Sequence, residues 1–175
     1  MNNLFKIKKA CGFYVSNMHF ATMILPYVNK NLIDGASFYT FFEFNLEENI
    51  KKVLQGIIGK EEEKKKILKI NWSNFEKGKY SNVEKNLKRI ENGLNTILVC
   101  GTENYINNIN ECIEKFIKRN IKKIENTEIK IINCYEVKNF NENIKEILDS
   151  HDKIINTSGE HEISEVFKDY KKKVV

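Results

Sequence analysis

The sequence predicts an α/β fold of three layers, α/β/α, around a mostly parallel central sheet. Three observations predict it. Short apolar runs with strand character alternate along the chain with stretches whose apolar residues recur at helical spacing. These stretches are about 10 to 20 residues long, enough for helical crossovers between parallel strands. One run, residues 96–101, is apolar almost without interruption, as in a central strand covered on both faces. No linker, repeat or shift of composition divides the 175 residues, a length suited to one domain.

In chain order, residues 6–14 end in an apolar run and read as the first strand. Ser16 or Asn17 can cap the next helix, whose Phe20, Ile24, Val28 and Leu32 share one face. Pro26 falls inside it and predicts a kink, and Asp34-Gly35 ends it. Residues 37–44, dense in aromatics, read as a second strand. Asn45 with Glu48 has the form of a capping box, opening a helix with Ile50, Val53, Leu54 and Ile57 inward. The charged residues 60–66 read as a surface turn and residues 67–72 as a short third strand. Residues 75–80 read as a loop. Ser81 with Glu84 is a second capping box, before a helix that faces Val83, Leu87 and Ile90 inward and stops at Asn92-Gly93.

The fourth strand is residues 96–101. Thr102 then caps a long helix that buries Ile106, Ile109, Ile113, Phe116 and Ile117. Residues 128–135 are the fifth strand, Ile144, Ile147 and Leu148 mark a helix, and residues 153–156 form a sixth strand closed by Ser158-Gly159. Ile163, Val166, Phe167 and Tyr170 stand at i, i+3, i+4 and i+7, the stripe of an amphipathic helix. The domain reading is residues 1–159 as the α/β body and 160–175 as a C-terminal amphipathic helix with a basic tail.

The net charge of +5, with 41% hydrophobic and 30% charged residues, is a globular composition. Basic residues cluster at 171–173 and at Lys118, Arg119, Lys122 and Lys123. No aromatic residues interleave with them, so they read as a solvated face and tail rather than a nucleic-acid surface. The four cysteines, Cys11, Cys100, Cys112 and Cys134, contain no C-x-x-C pair. They read as small buried hydrophobes with neither disulfide nor metal, in keeping with a reducing compartment. Lys6, Lys8 and Lys9 before an apolar stretch mimic a secretory signal. Ser16, Asn17, His19 and Pro26 interrupt that stretch and no cleavage pattern follows. No run approaches the roughly 18 apolar residues of a membrane span. The expectation is a cytoplasmic protein that contacts neither membrane nor nucleic acid.

Ligands of such sheets sit beyond the carboxyl ends of the strands. That rule selects Tyr14, Ser16, Phe44, Trp72, Gly101, Thr102, Glu103 and Tyr135 as candidate ligand-binding residues, with Glu136, Asn156 and Thr157 beside them. A phosphate loop needs G-x-x-x-x-G-K-[ST] between strand and helix. After Gly101 the second glycine and the lysine are missing, and Glu103 sets a negative charge where phosphate would lie. Gly101-Thr102 at a helix start can still seat a small polar or anionic ligand. No G-x-S-x-G elbow is present. Ser150-His151-Asp152 is contiguous and cannot converge like a triad, and Cys11 with His19 has nothing to bring it together. The expectation is no catalytic residue, no enzyme and no cofactor.

The ordered pieces resemble a known family. Cys11-Gly12-Phe13-Tyr14 is similar to its first strand, and Ile24-Leu25-Pro26-Tyr27 through Leu32 to the strand of residues 38–44 resembles the helix and strand that follow. Trp72 and the strand closing in Gly101 follow in order. Ile131-Ile132-Asn133-Cys134-Tyr135, Phe140, Ile147-Leu148, His151 and Ile154-Ile155 resemble its ending. The family is the MEDS sensory domain, and the resemblance spans about residues 6–157. It implies a RecA/KaiC-like fold whose phosphate loop is lost, and a sensory, regulatory role in which a small molecule is bound. The sequence departs from the pattern in two ways. Lys9 stands where the family's first strand has a histidine, and no output domain is attached, so the signal would pass to a separate protein or through a homodimer. The alternative is a protein-interaction module of the same fold with no small-molecule ligand.

Overall fold

Residues 6–57, 59–75, 80–137 and 144–172 are described by a computed structural model. The first strand, β1 (Lys6–Tyr14), becomes steadily more buried toward its end, as its residues change from lysine to Ala10, Cys11 and Tyr14. Helix α1 (Asn17–Ile33) follows after two residues. The Ser16 hydroxyl accepts from the His19 N–H at 3.1 Å, the expected N-cap. α1 passes through Pro26 without a break and stops at Asp34, before Gly35 at φ +85°.

β2 (Ser37–Phe42) is followed by α2 (Glu47–Gly56), α3 (Glu61–Leu68) and α4 (Ser81–Leu87). β3 (Gly93–Gly101), α5 (Glu103–Arg119) and β4 (Thr127–Glu136) come next, then α6 (Ile144–Asp149), β5 (Lys153–Asn156), β6 (Gly159–Glu162) and α7 (Ile163–Val166). Among the described residues the sheet has six strands in the order β2-β3-β4-β1-β5-β6. Every neighbouring pair is parallel except β5 with β6. The apolar runs at 97–101 and 131–135 lie side by side inside it, in register from Gly93↔Thr127 to Gly101↔Tyr135.

The alternation of side chains across each strand divides the core into two halves. On one face α1, α2 and α3 bury Phe20, Ile24, Leu54 and Ile67 against Ala10, Leu98 and Ile132. On the other face α4, α5, α6 and α7 bury Leu87, Ile109, Ile147 and Ile163 against Val99, Ile131 and Ile154. The result is the expected three-layer, RecA-like α/β/α arrangement.

Four local expectations are corrected. Residues 61–68 are helix α3 rather than a turn. Glu61, Glu62 and Glu63 occupy its first turn and Lys65 and Lys66 its last, each sign at the helix end its charge favours. Residues 67–72 are not a strand: Ile67 and Leu68 end α3, and Trp72 is buried from an irregular segment, its indole N–H donating to the Ile67 carbonyl at 2.9 Å. Neither expected capping box forms. The Asn45 side chain accepts from Glu47 N–H, but Leu46 is the N-cap of α2, and Tyr80 rather than Ser81 is the N-cap of α4. Ile57 lies past the end of α2 and is exposed.

The segment 160–175 also differs from one long helix. Its first residues pair with β5 as the antiparallel strand β6, and only Ile163–Val166 are helical. Gly159, at φ +115°, opens β6 directly after the two-residue turn Thr157-Ser158, a backbone angle that favours glycine. A capping box does occur here, between Glu162 and Glu165.

Candidate functional site

Two pairs of neighbouring strands send their following helices to opposite faces of the sheet. β2 leads to α2 on one face and β3 to α5 on the other. β1 leads to α1 and β4 to α6 in the same way. Each pair leaves a crevice at its carboxyl end, the usual place for a ligand in an open sheet.

The β2/β3 crevice is filled by the protein itself. The Glu43 carboxylate accepts from the Thr102 N–H at 2.7 Å, at the start of α5. The Thr102 hydroxyl accepts from the Tyr105 N–H at 3.4 Å and completes the cap. A negative charge on the Thr102 amide is where a helix N-terminus would hold a phosphate. Glu43, which the sequence reading did not single out, takes that place, and Glu103 stands in the first turn of α5 as expected. The close approach also requires Gly101: a Cβ there would stand 2.6 Å from Glu43 Oε2 and 2.7 Å from Glu43 Cβ.

Around the β1/β4 crevice the expected residues separate. Tyr14 is wholly buried on the α1 face, edge-on to Phe20 with ring centroids 5.3 Å apart. Trp72 is on that same face, stacked on Phe42 at 5.6 Å. Burial raises the Tyr14 phenol far above its ordinary pKa. Tyr135 is on the opposite face, beside Phe13 at 5.9 Å. Tyr14, Trp72 and Tyr135 thus line no common pocket. Ser16 is exposed and its side chain is engaged in the α1 cap, and Phe44 is half-buried just past β2. Gly101, Thr102, Glu103 and Tyr135 do gather at one end of β3 and β4.

On the Tyr135 face, between α5 and the turn that ends α6 (Ser150 and His151), runs a polar groove of about 260 Å³, the α5/α6 groove. Lys9, Glu111 and Glu114 stand at its mouth, and Asn110, Asn133, Tyr135 and His151 line it further in. Asn133 and His151 are each only 3% exposed. The Asn110 amide donates to Asn133 Oδ1 at 2.9 Å, and the Asn133 amide faces His151 Nε2 at 3.0 Å. His151 Nδ1 faces the Ile147 carbonyl, which can only accept. Nδ1 therefore carries the hydrogen, and Nε2 accepts from Asn133. Burial is the main cause holding the His151 pKa below its ordinary value, so the ring is neutral near pH 7.

Ser150 Oγ lies 3.0 Å from His151 Nδ1, a contact not anticipated from their adjacency. It is not an activated nucleophile, because Nδ1 already bears a hydrogen and cannot take the serine proton. Nor are the thiols activated. Cys11, Cys100 and Cys134 are buried in three separate strands, and burial pushes Cys11 and Cys100 up to about 12. Cys11 and His19 do not meet: the Cys11 thiol points to the Lys153 carbonyl, while His19 Nδ1 accepts from the Val15 N–H. Among the described residues, no group of three or more histidine, cysteine or carboxylate side chains could hold a metal ion. No described helix is long and apolar enough to cross a membrane.

Glu43, Asn110, Asn133 and His151 were not among the site residues expected from sequence. The available signals were a carboxylate inside an aromatic strand and an asparagine inside the run Ile131-Ile132-Asn133-Cys134. The chain matches no family model, no curated protein and no solved structure.

Proposed function

We propose that this chain is a non-catalytic sensory domain that binds a small polar molecule in the groove between α5 and α6 and reports its state to a separate protein. The observation that carries this reading is the floor of the groove. Asn133, on β4, and His151, in the turn before β5, are buried polar groups beside the apolar core of this face, and burying such groups is costly unless they are hydrogen-bonded. Their bonds form a chain that leads to the open groove. The MEDS resemblance supports the same place. Lys9, at the position of the family's first-strand histidine, lines this groove together with Tyr135 and His151 of the closing motif.

The groove suits a metabolite-sized molecule, being smaller than typical drug-sized pockets of roughly 300–1,000 Å³. Amide and neutral imidazole groups offer hydrogen bonds, the Tyr135 ring offers an apolar wall, and Lys9 with Glu114 offers one charge of each sign at the rim. Native mass spectrometry of the purified protein tests the reading. A small adduct on the parent protein that is lost on Asn133→Leu supports it, and an adduct held equally by both proteins contradicts it.

One observation favours the alternative of an interaction module without a ligand: Tyr14 and Trp72, expected to wall a pocket, are packed into a filled core. On that reading the Asn110–Asn133–His151 chain only fixes α5 and α6 on the sheet, and polar metabolites leave the thermal midpoint unchanged.

A further inference from the structure

Among the described strands β2 is the edge of the sheet, bonded to β3 on one side. The Glu43 N–H donates to the Cys100 carbonyl, whereas the Phe42 carbonyl accepts from the Phe75 N–H on the outer side. Strand backbone alternates in direction, so the N–H and C=O of Phe38 and Thr40 also face outward. Residues 71–75 cover the end of this edge, through Phe75 and through the Thr40 hydroxyl, which donates to the Asn71 carbonyl. The stretch before it opens into a groove of about 490 Å³.

Among the described residues that line the grooves at this edge, the charges have one sign. Lys66 and Lys69 flank it from α3 and its C-cap, on one face of the sheet, and Arg89 flanks it from just past α4 on the other. Lys85 extends the line into an adjoining groove of about 320 Å³. All four are exposed, and among the described residues no carboxylate lines either groove; Glu91 stands beside Tyr39 outside them.

We infer that the open β2 edge is a docking site for an acidic, extended segment of a partner protein, which adds as a further strand. The main-chain groups of Phe38 and Thr40 supply the ladder, and Lys66, Lys69, Lys85 and Arg89 supply the charge complement on both faces. Alternating outward donors and acceptors match a peptide backbone better than a sugar-phosphate one. The net charge of +5 favours an acidic partner over a second copy of this chain. The inference gives a place to the reporting surface in the function proposed above, but it does not need the α5/α6 groove to be occupied.

The test uses a fluorescently labelled peptide of alternating glutamate and valine, about eight residues long. A peptide with lysine for glutamate and a uridine oligonucleotide of matched length serve as comparisons. The acidic peptide should bind saturably, shift the backbone amide resonances of Phe38 and Thr40, and lose about tenfold or more in affinity on the double change Lys69→Glu with Arg89→Glu. Both side chains are exposed, so that variant should stay folded, with only the small loss of midpoint that a negative charge at the end of α3 brings. Resonance shifts on the parent protein decide the matter independently of any variant. Absence of binding, shifts confined to another surface, equal binding of the lysine peptide, or tighter binding of the oligonucleotide would each overturn the inference. Failure here leaves the native mass spectrum, and so the ligand reading, untouched.

Discussion

Glu43 and Gly101 work as one device, although 58 positions separate them in the chain. The carboxylate can reach the Thr102 amide at the start of α5 only because Gly101 has no Cβ. Gly101→Ala should cost about 1–3 kcal/mol, the usual range for overpacking a fitted site, and Glu43→Ala in the same protein should restore part of it. Chemical denaturation of the single and double variants measures this coupling. His151 makes a second prediction. Its folded pKa lies below its unfolded value of about 6.5. The unfolded chain therefore binds more protons in the interval between them, and stability falls as pH drops. The thermal midpoint should hold steady above about pH 7 and decline from about 6.5 downward, and His151→Gln should flatten that decline. Thr102 was legible in sequence because a cap needs only its own neighbours. Glu43 was not, because its role is defined by a glycine on another strand.

Elements with a strong local pattern were legible to within a few residues. β1, α1, α5, β4 and β5 carry periodicity or caps that no distant contact overrides. The misreadings fall where tertiary contacts decide. The Glu61–Lys66 run is helical because its charges suit the helix ends and Ile67 is buried beneath it. Trp72 is held by Phe42 and the Ile67 carbonyl rather than by a ladder. At the C-terminus, β6 pairs with β5, Lys130 pairs with Glu160, and the Tyr170 hydroxyl donates to Asp149 at 2.6 Å. Deleting residues 160–175 should remove these contacts together with the buried Ile163. Losing that one side chain costs about 1.5–3 kcal/mol, and each kcal/mol lowers the midpoint of a domain this size by roughly 2–4 °C. A midpoint drop of roughly 6 °C or more is expected by scanning calorimetry. An unchanged midpoint would show that the segment is not part of the folded body.

Across the molecule, a RecA-like sheet places its crevices by topology, and side chains decide which of them stays open. The β2/β3 crevice is closed by Glu43, and the space on the α1 face of β1 is filled by Tyr14, Phe20 and Trp72. The groove over β4 and β1 stays open above a hydrogen-bonded floor. The sequence marked the strand ends as the place for a ligand but not which face of the sheet. That depends on the pairing of β1 with β4, which sets Tyr14 beside Glu136 and Phe13 beside Tyr135. The central claim is that the α5/α6 groove receives a small polar molecule. Nuclear magnetic resonance of the labelled protein against a panel of polar metabolites tests it most directly, through the side-chain amide signals of Asn110 and Asn133. The account predicts saturable shifts of these signals and of the Ser150 and His151 backbone amides with at least one compound, abolished by Asn133→Leu. Shifts confined to other surfaces, or none across the panel, would contradict it.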